Sequence, residues 1–167
     1  QAELNITATL RNLDKKKVKN YSLSFSLYEF GLYSDENTLV ENVAANVPVE
    51  QLLPGEIKNV SVLLDAGTKV KPWNAEKPYR YALVGELKDK KGRVIETFST
   101  TVGFREIEIK DTPAEKDEFG LAGRYYYLNG KPIKMKGVNR HETDPENGHY
   151  ITRERMTEEV MMMKRAN

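Results

Sequence analysis

At 167 residues the chain is long enough for one large domain, or for one ordinary domain of about 100–150 residues plus a piece of another. Lys and Arg number 26 against 25 Asp and Glu, a formal net charge of +1, which leaves no long-range attraction for nucleic acid or for an anionic membrane. There is no cysteine, which excludes disulfides and thiolate metal sites, and no run approaches the roughly 18 apolar residues of a membrane span.

The N-terminal Gln-Ala-Glu-Leu-Asn lacks the basic and apolar regions of a signal peptide, so the chain as given is expected to be soluble. A leader removed or lying outside this stretch stays open, and a periplasmic or secreted location is read ahead of a cytoplasmic one. The Asn-X-Ser/Thr triplets at Asn5, Asn20 and Asn59 read as surface polar residues.

Residues 3–10, ELNITATL, alternate with Leu4, Ile6, Ala8 and Leu10 on one side, the period of a strand with one buried face. Asn12 to Lys17 reads as a solvated polar turn. The next run, YSLSFSLYEF, turns Tyr21, Leu23, Phe25 and Leu27 inward and its serines outward, and is expected to pair with the first strand. A weaker strand follows over 38–45, then a turn at Pro54-Gly55, then Ile57 to Leu64 with Val60, Val62 and Leu64 on one face. Pro72 and Pro78 keep KPWNAEKP extended and out of helix, with Trp73 expected to anchor an edge or a core. Tyr81 and Leu83 belong to a strand, Asp89 to Gly92 to a hairpin turn, and Val94 to Val102 to another strand.

About seven short strands with regular turn signals and no helical period predict a mainly β chain. The expected fold is an immunoglobulin-like antiparallel β-sandwich over residues 1–110. Charged residues around Lys110 to Glu118 mark a linker, taken as 111–123. Tyr125 to Leu128 and Pro132 to Lys136 are strand-like runs around Asn129-Gly130, a pair suited to a tight hairpin. TRERMTEEVMMMKRAN, 152–167, carries a helical period: Thr152 as N-cap, Glu154 in the first turn, and Met156, Val160 and Met163 as an apolar face that needs cover. No Gly or Pro follows Asn167, and a folded protein is expected to continue there.

The dense polar cluster is Gly137-Val138-Asn139-Arg140-His141-Glu142, with Asp144, Glu146 and His149 close behind. It matches neither the helical H-E-x-x-H pattern nor a calcium loop, so no metal ligand is assigned, and no Ser, Thr or Cys is marked as a nucleophile. On residue type alone His141 reads either as a functional imidazole or as one satisfied by local hydrogen bonds.

The run YYYLNGKPIKMKGVNRHETDPENG followed by ITRERMTEEVMMMKRAN resembles the opening of the catalytic barrel in glycoside hydrolase family 2, and more closely its β-galactosidases. KPWNAEKPYRYAL and VGFREIEI are similar to family segments upstream of the barrel. The resemblance implies an immunoglobulin-like middle domain, then 124–167 as the hairpin, first strand and first helix of a truncated (β/α)8 barrel. A whole barrel takes about 250 residues.

It also implies retaining, exo-acting hydrolysis of terminal β-D-galactosides by two glutamates. The family's acid/base sits in an Asn-Glu dipeptide, absent here, so both catalytic glutamates are expected beyond Asn167 and this stretch alone inactive. His141 matches the family's sugar-pocket histidine, which makes it the expected substrate contact, with Asn139 a weaker one. Arg140 and Glu142 are expected to pair and shape the loop. Thr143 stands where β-galactosidases commonly have a second His and β-glucuronidases an Asp, while Asp144-Pro145 and Gly148 fit the β-galactosidase loop.

The implied partners are a carbohydrate substrate and the rest of the barrel, with self-association as a homo-oligomer left open. No cofactor is implied for this stretch, and a divalent cation is admitted for the complete enzyme's active site. The alternatives are a β-glucuronidase or β-mannosidase of the same family, or a stand-alone glycan- or protein-binding module with Tyr125, Tyr126 and Tyr127 as its aromatics. The tail from about Phe119 is expected to be poorly anchored without its barrel neighbours.

Overall fold

The computed structural model describes residues 2–30, 37–117, 120–135 and 137–166. Its chain order is β1 (Ala2–Arg11), β2 (Val18–Phe30), β3 (Asn37–Leu52), β4 (Ile57–Gly67), β5 (Arg80–Lys88), β6 (Val94–Val102), β7 (Ile107–Thr112), β8 (Gly123–Leu128), β9 (Lys131–Ile133) and α1 (Arg153–Ala166). All pairings are antiparallel and form three sheets: β1-β4, β3-β2-β5-β6 and β7-β8-β9. No described helix is long and apolar enough to cross a membrane.

The first two sheets are the two layers of the sandwich. Period-two alternation puts Leu23, Phe25 and Leu27 of β2, Leu64 and Ala66 of β4, and Tyr81 and Leu83 of β5 into one core. Tyr81 closes one end, edge-on to Phe104 at 5.6 Å between ring centres, while its hydroxyl accepts the Lys71 N–H at 2.7 Å. Gly92, at φ +77°, completes the β5–β6 hairpin, and the Asp89 carboxylate receives the Lys91 and Arg93 N–H groups.

Three sequence expectations change. β2 does not pair with β1: it lies between β3 and β5, while β1 pairs with β4 in the other layer. The cause is Asn12, expected in a solvated turn but buried. Its amide donates to the carbonyls of Lys16 (2.9 Å) and Leu52 (3.1 Å), its side-chain oxygen accepts from Asp14 N–H, and its backbone bonds Gly55 and Glu56. These bonds tie the end of β1 to the 53–56 turn, so the next residues cross to the opposite sheet. The third strand is also longer than 38–45. It runs to Leu52 as an edge strand, where Pro48 costs no ladder bond toward solvent.

The third change concerns 111–123. Far from a plain linker, it holds the end of β7 and a short 3-10 helix at Ala114–Lys116, and the buried Thr112 hydroxyl meets Tyr127 Oη at 2.7 Å. Pairing of β7 with β8, and β8 with β9, anchors 123–133, contrary to the poor anchoring expected from Phe119 onward; Phe119 itself lies outside the described residues. By packing, the chain forms two compact units, Gln1–Ile133 and Lys134–Asn167.

Asn129 does more than turn the hairpin. With Gly130 it takes positive φ (51° and 76°), the geometry of a two-residue turn. Its side chain meanwhile donates to Trp73 C=O at 2.9 Å and accepts Glu106 N–H at 3.0 Å, and its own N–H donates to Glu106 C=O. Trp73 is half-buried under the Arg105 guanidinium, 4.8 Å from its ring centre, in keeping with an anchoring role. Replacing Asn129 by Ala removes two side-chain bonds and strains a positive-φ residue, so a loss of about 2 kcal/mol of stability is expected in urea titration.

Candidate functional site

The second unit carries the polar cluster and α1. Thr152 caps the helix as expected: its Oγ1 accepts Arg155 N–H at 3.2 Å and its carbonyl accepts Met156 N–H at 3.0 Å. No residue of α1 is buried; Val160 is 48% exposed and Met163 36%, so the apolar face stands uncovered. Of the strand-like run expected over Pro132 to Lys136, Pro132 and Ile133 belong to β9, Lys134 and Met135 carry no strand, and Lys136 lies outside the described residues. A parallel barrel strand draws its hydrogen bonds from neighbours on both sides, and the stretch does not contain those neighbours.

Asn139, His141 and Glu142 are exposed on the segment before α1, while Arg140 is half-buried. Arg140 turns away from Glu142, its expected partner, and reaches Glu159 on the helix: Nε donates at 2.8 Å and Nη2 lies 2.6 Å from the same oxygen. Arg155 Nε approaches the other Glu159 oxygen at 3.8 Å. The pairing pins the backbone at 140 to the first half of α1, so the adjacent His141 projects from a held position. Sequence reasoning missed Glu159, although its signal was present: it lies three residues after Met156 and four before Met163, an acid inside an apolar helix stripe, which calls for a cation.

Beyond His141 the loop is built by Asp144. Its N–H and C=O exchange bonds with Gly148, and its Oδ1 accepts the N–H groups of Glu146 (2.9 Å) and Asn147 (3.0 Å) and the Asn147 amide (3.1 Å). Gly148 closes the turn at φ +68°, and His149 follows, exposed. The backbone N–H groups of Glu146 and then Asn147 hold the Asp144 carboxyl below its ordinary value of 3.8. A depressed carboxylate contributes order above its ordinary value and loses it as pH falls through the lowered one. The Asp144 side-chain carbon, followed by NMR, is therefore expected to titrate with a midpoint below 3.8, the turn persisting above it.

The residues expected at a site thus lie on one segment, Asn139 and His141 exposed and Arg140 paired with Glu159. No group of three or more His, Cys, Asp or Glu suited to a metal is present among the described residues. A cavity of about 870 Å³ lies elsewhere, in the sandwich, and contains none of these residues. Tyr125 and Tyr127 are half-buried while Tyr126 is 44% exposed on the opposite face of β8, so the three tyrosines form no flat row.

Residues 1–105 match the family Glycosyl hydrolases family 2, and residues 120–167 match its TIM barrel domain. The second match starts ahead of the compact-unit boundary, so the hairpin goes with the barrel by descent and with the sandwich by packing. A β-galactosidase of Priestia megaterium is 33% identical over 166 residues, 99% of this chain and 14% of that protein. A β-galactosidase of Photobacterium profundum is 40% identical over 95 residues, 57% of this chain and 8% of that protein. The chain therefore spans only about a twelfth to a seventh of these relatives. Among solved structures, a Bacteroides uniformis β-glucuronidase superposes with a TM-score of 0.69 at 24% identity, over 98% of this chain and 17% of that one, a likeness of fold.

Proposed function

The chain belongs to glycosyl hydrolases family 2, and from that membership we propose that it is one stretch of a β-galactosidase-like enzyme, a retaining, exo-acting hydrolase of terminal β-D-galactosides. The observation that carries the choice of sugar is the 33% identity to a β-galactosidase along 99% of the chain. In this reading the sandwich is a structural support, and the segment 137–151 lines the sugar pocket with His141 as a substrate contact and Asn139 beside it.

Retaining hydrolysis needs two carboxylates about 5–5.5 Å apart, one as acid/base and one as nucleophile. The polypeptide outside this stretch supplies both, and the stretch by itself is inactive. The carbohydrate and the remainder of the barrel are its partners, nucleic acid and membrane are not, and a homo-oligomer is compatible with the uncovered apolar faces. A periplasmic or secreted location completes the proposal. A divalent cation in the complete active site stays part of this reading, and the described residues hold no group of three or more His, Cys, Asp or Glu for it.

A β-glucuronidase or β-mannosidase of the same family is the second reading, left open because Thr143 is neither the second histidine of β-galactosidases nor the Asp of β-glucuronidases. A stand-alone glycan-binding module finds little support in tyrosines that face opposite ways. The parent protein, assayed on aryl β-galactoside, β-glucuronide and β-mannoside, is expected to prefer the galactoside by at least about 100-fold in kcat/KM, a difference of about 2.7 kcal/mol. Product NMR should show the β-anomer first. Preference for either other sugar would replace the galactoside reading, and activity from residues 1–167 alone would overturn the downstream placement of the glutamates.

A further inference from the structure

Asparagine followed by glycine is a chemically labile pair, and the sequence holds two of them, Asn129-Gly130 and Asn147-Gly148. A glycine has no Cβ, so its backbone nitrogen can close a five-membered ring on the asparagine side-chain carbon, an intramolecular attack that bulkier neighbours obstruct. The two pairs are equivalent in sequence, and the fold separates them.

Access to the glycine is not what differs. A methyl group added at Gly130 or at Gly148 would meet nothing within 4 Å, so both nitrogens lie on open backbone. The asparagine side chains are held differently. Asn129 is half-buried, and both ends of its amide bind backbone far from the hairpin: the nitrogen donates to Trp73 C=O at 2.9 Å and the oxygen accepts Glu106 N–H at 3.0 Å. Rotating that side chain onto Gly130 breaks both bonds. Asn147 is exposed, and among the described residues its amide is held by a donation to Asp144 Oδ1 at 3.1 Å, inside its own turn. The Gly148 nitrogen donates to Asp144 C=O at 2.9 Å, half of the two-bond bridge that closes the turn, and this bond must open before the nitrogen can react. That opening is confined to a few exposed residues, the kind that costs least.

We propose that Asn147-Gly148 is a self-modification site, converted to a carboxylate without any enzyme, and that Asn129 is the pair the fold protects. The Gly148 nitrogen loses its proton and bonds to Cγ of Asn147; the Cγ–Nδ2 bond breaks and ammonia leaves carrying a proton. Water then opens the resulting cyclic imide at one of its two carbonyls, leaving aspartate or isoaspartate in place of Asn147. The donor 3.1 Å from Asp144 Oδ1 becomes a second carboxylate, and like charges at that distance repel. The isoaspartate form also adds a carbon to the backbone ahead of Gly148 and shifts the bridge to Asp144 out of register. Either product loosens the turn that follows His141.

The test holds the parent protein at mildly alkaline pH, folded and, separately, denatured in urea, and follows both pairs by peptide mapping and mass spectrometry. In the folded protein the peptide with Asn147 is expected to exchange NH2 for OH about tenfold or more faster than the peptide with Asn129, the difference made by two long-range hydrogen bonds against one local one. In urea the two rates should agree within about threefold, since the fold no longer separates them. Asp144→Ala, which removes the acceptor of the Asn147 amide, should speed conversion at 147 about threefold or more in the folded protein and leave 129 unchanged. Equal rates in the folded protein overturn the proposal, as does an Asn147 that stays intact while the denatured chain converts. A ratio that persists in urea also overturns it, by assigning the difference to the following residues, Lys131 and His149, instead of the fold. Activity on an aryl β-galactoside, read in the same samples, addresses the sugar pocket separately: conversion at 147 without loss of activity supports the modification site and counts against a pocket role for this turn.

Discussion

Replacing Phe25 by alanine is expected to lower the unfolding free energy by about 3–5 kcal/mol, a large part of the 5–15 kcal/mol that holds a domain together. Phe25 is 1% exposed, enclosed by β2 neighbours Leu23 and Leu27 on the same inner face and by the Phe98 ring. Truncation removes its burial energy and leaves a cavity that neighbouring strands, fixed by ladder bonds on both sides of β2, cannot close. The same change at Phe98 is expected to cost about 1 kcal/mol in the 167-residue chain, because a ring 42% exposed has less burial to lose. Urea titration of both variants measures the two losses side by side. Equal losses would mean that Phe98 is as covered in solution as Phe25.

The difference between these two phenylalanines also explains how far the sequence could be read. Phe25 sits in a strand of clean alternation, whereas VIETFSTTV puts Glu96 and Thr100 on the face that carries Phe98, and alternation reports which side a residue faces, not whether anything lies on that side. The pairing of β2 with β1 failed for a related reason. Neighbouring strands joined by a short polar stretch usually form a hairpin, and what redirects this one is a single buried amide, Asn12, whose partners Leu52 and Glu56 are some forty residues away in sequence. Local signals were reliable where the cause is local. Gly92 and Asn129-Gly130 turn where their dihedral preferences place them, and Thr152 caps α1. The second role of Asn129, holding Trp73 and Glu106, depends on residues 56 and 23 positions back and left no local trace. In the cluster at 137–142, residue types identified His141 as a candidate, but the partner of Arg140 had to come from the helix, where an acid in an apolar stripe was the clue.

Replacing His141 by alanine in the parent enzyme is expected to lower kcat/KM about 100-fold or more, near 3 kcal/mol of transition-state stabilisation, with the unfolding midpoint unchanged. The stability half of this expectation rests on exposure: His141 is on the surface of its unit, and the loop around it is held by Arg140–Glu159 on one side and by the Asp144 turn on the other. The kinetic half rests on the proposed sugar contact. A hydrogen bond to a hydroxyl that strengthens as positive charge develops on the ring acts in the transition state more than in the bound substrate, so kcat should fall with kcat/KM while KM moves little. Glu159→Gln provides the contrast. It leaves the imidazole in place and loosens the Arg140 anchor, so a smaller loss is expected, shared between kcat and KM, as for a positioning residue. His141→Gln, which keeps an acceptor for the hydroxyl near the same place, should recover part of the rate that alanine loses. Unchanged kinetics in His141→Ala would remove the imidazole from the sugar pocket, and a fall in Tm equal to that of Glu159→Gln would assign it to the loop's structure instead.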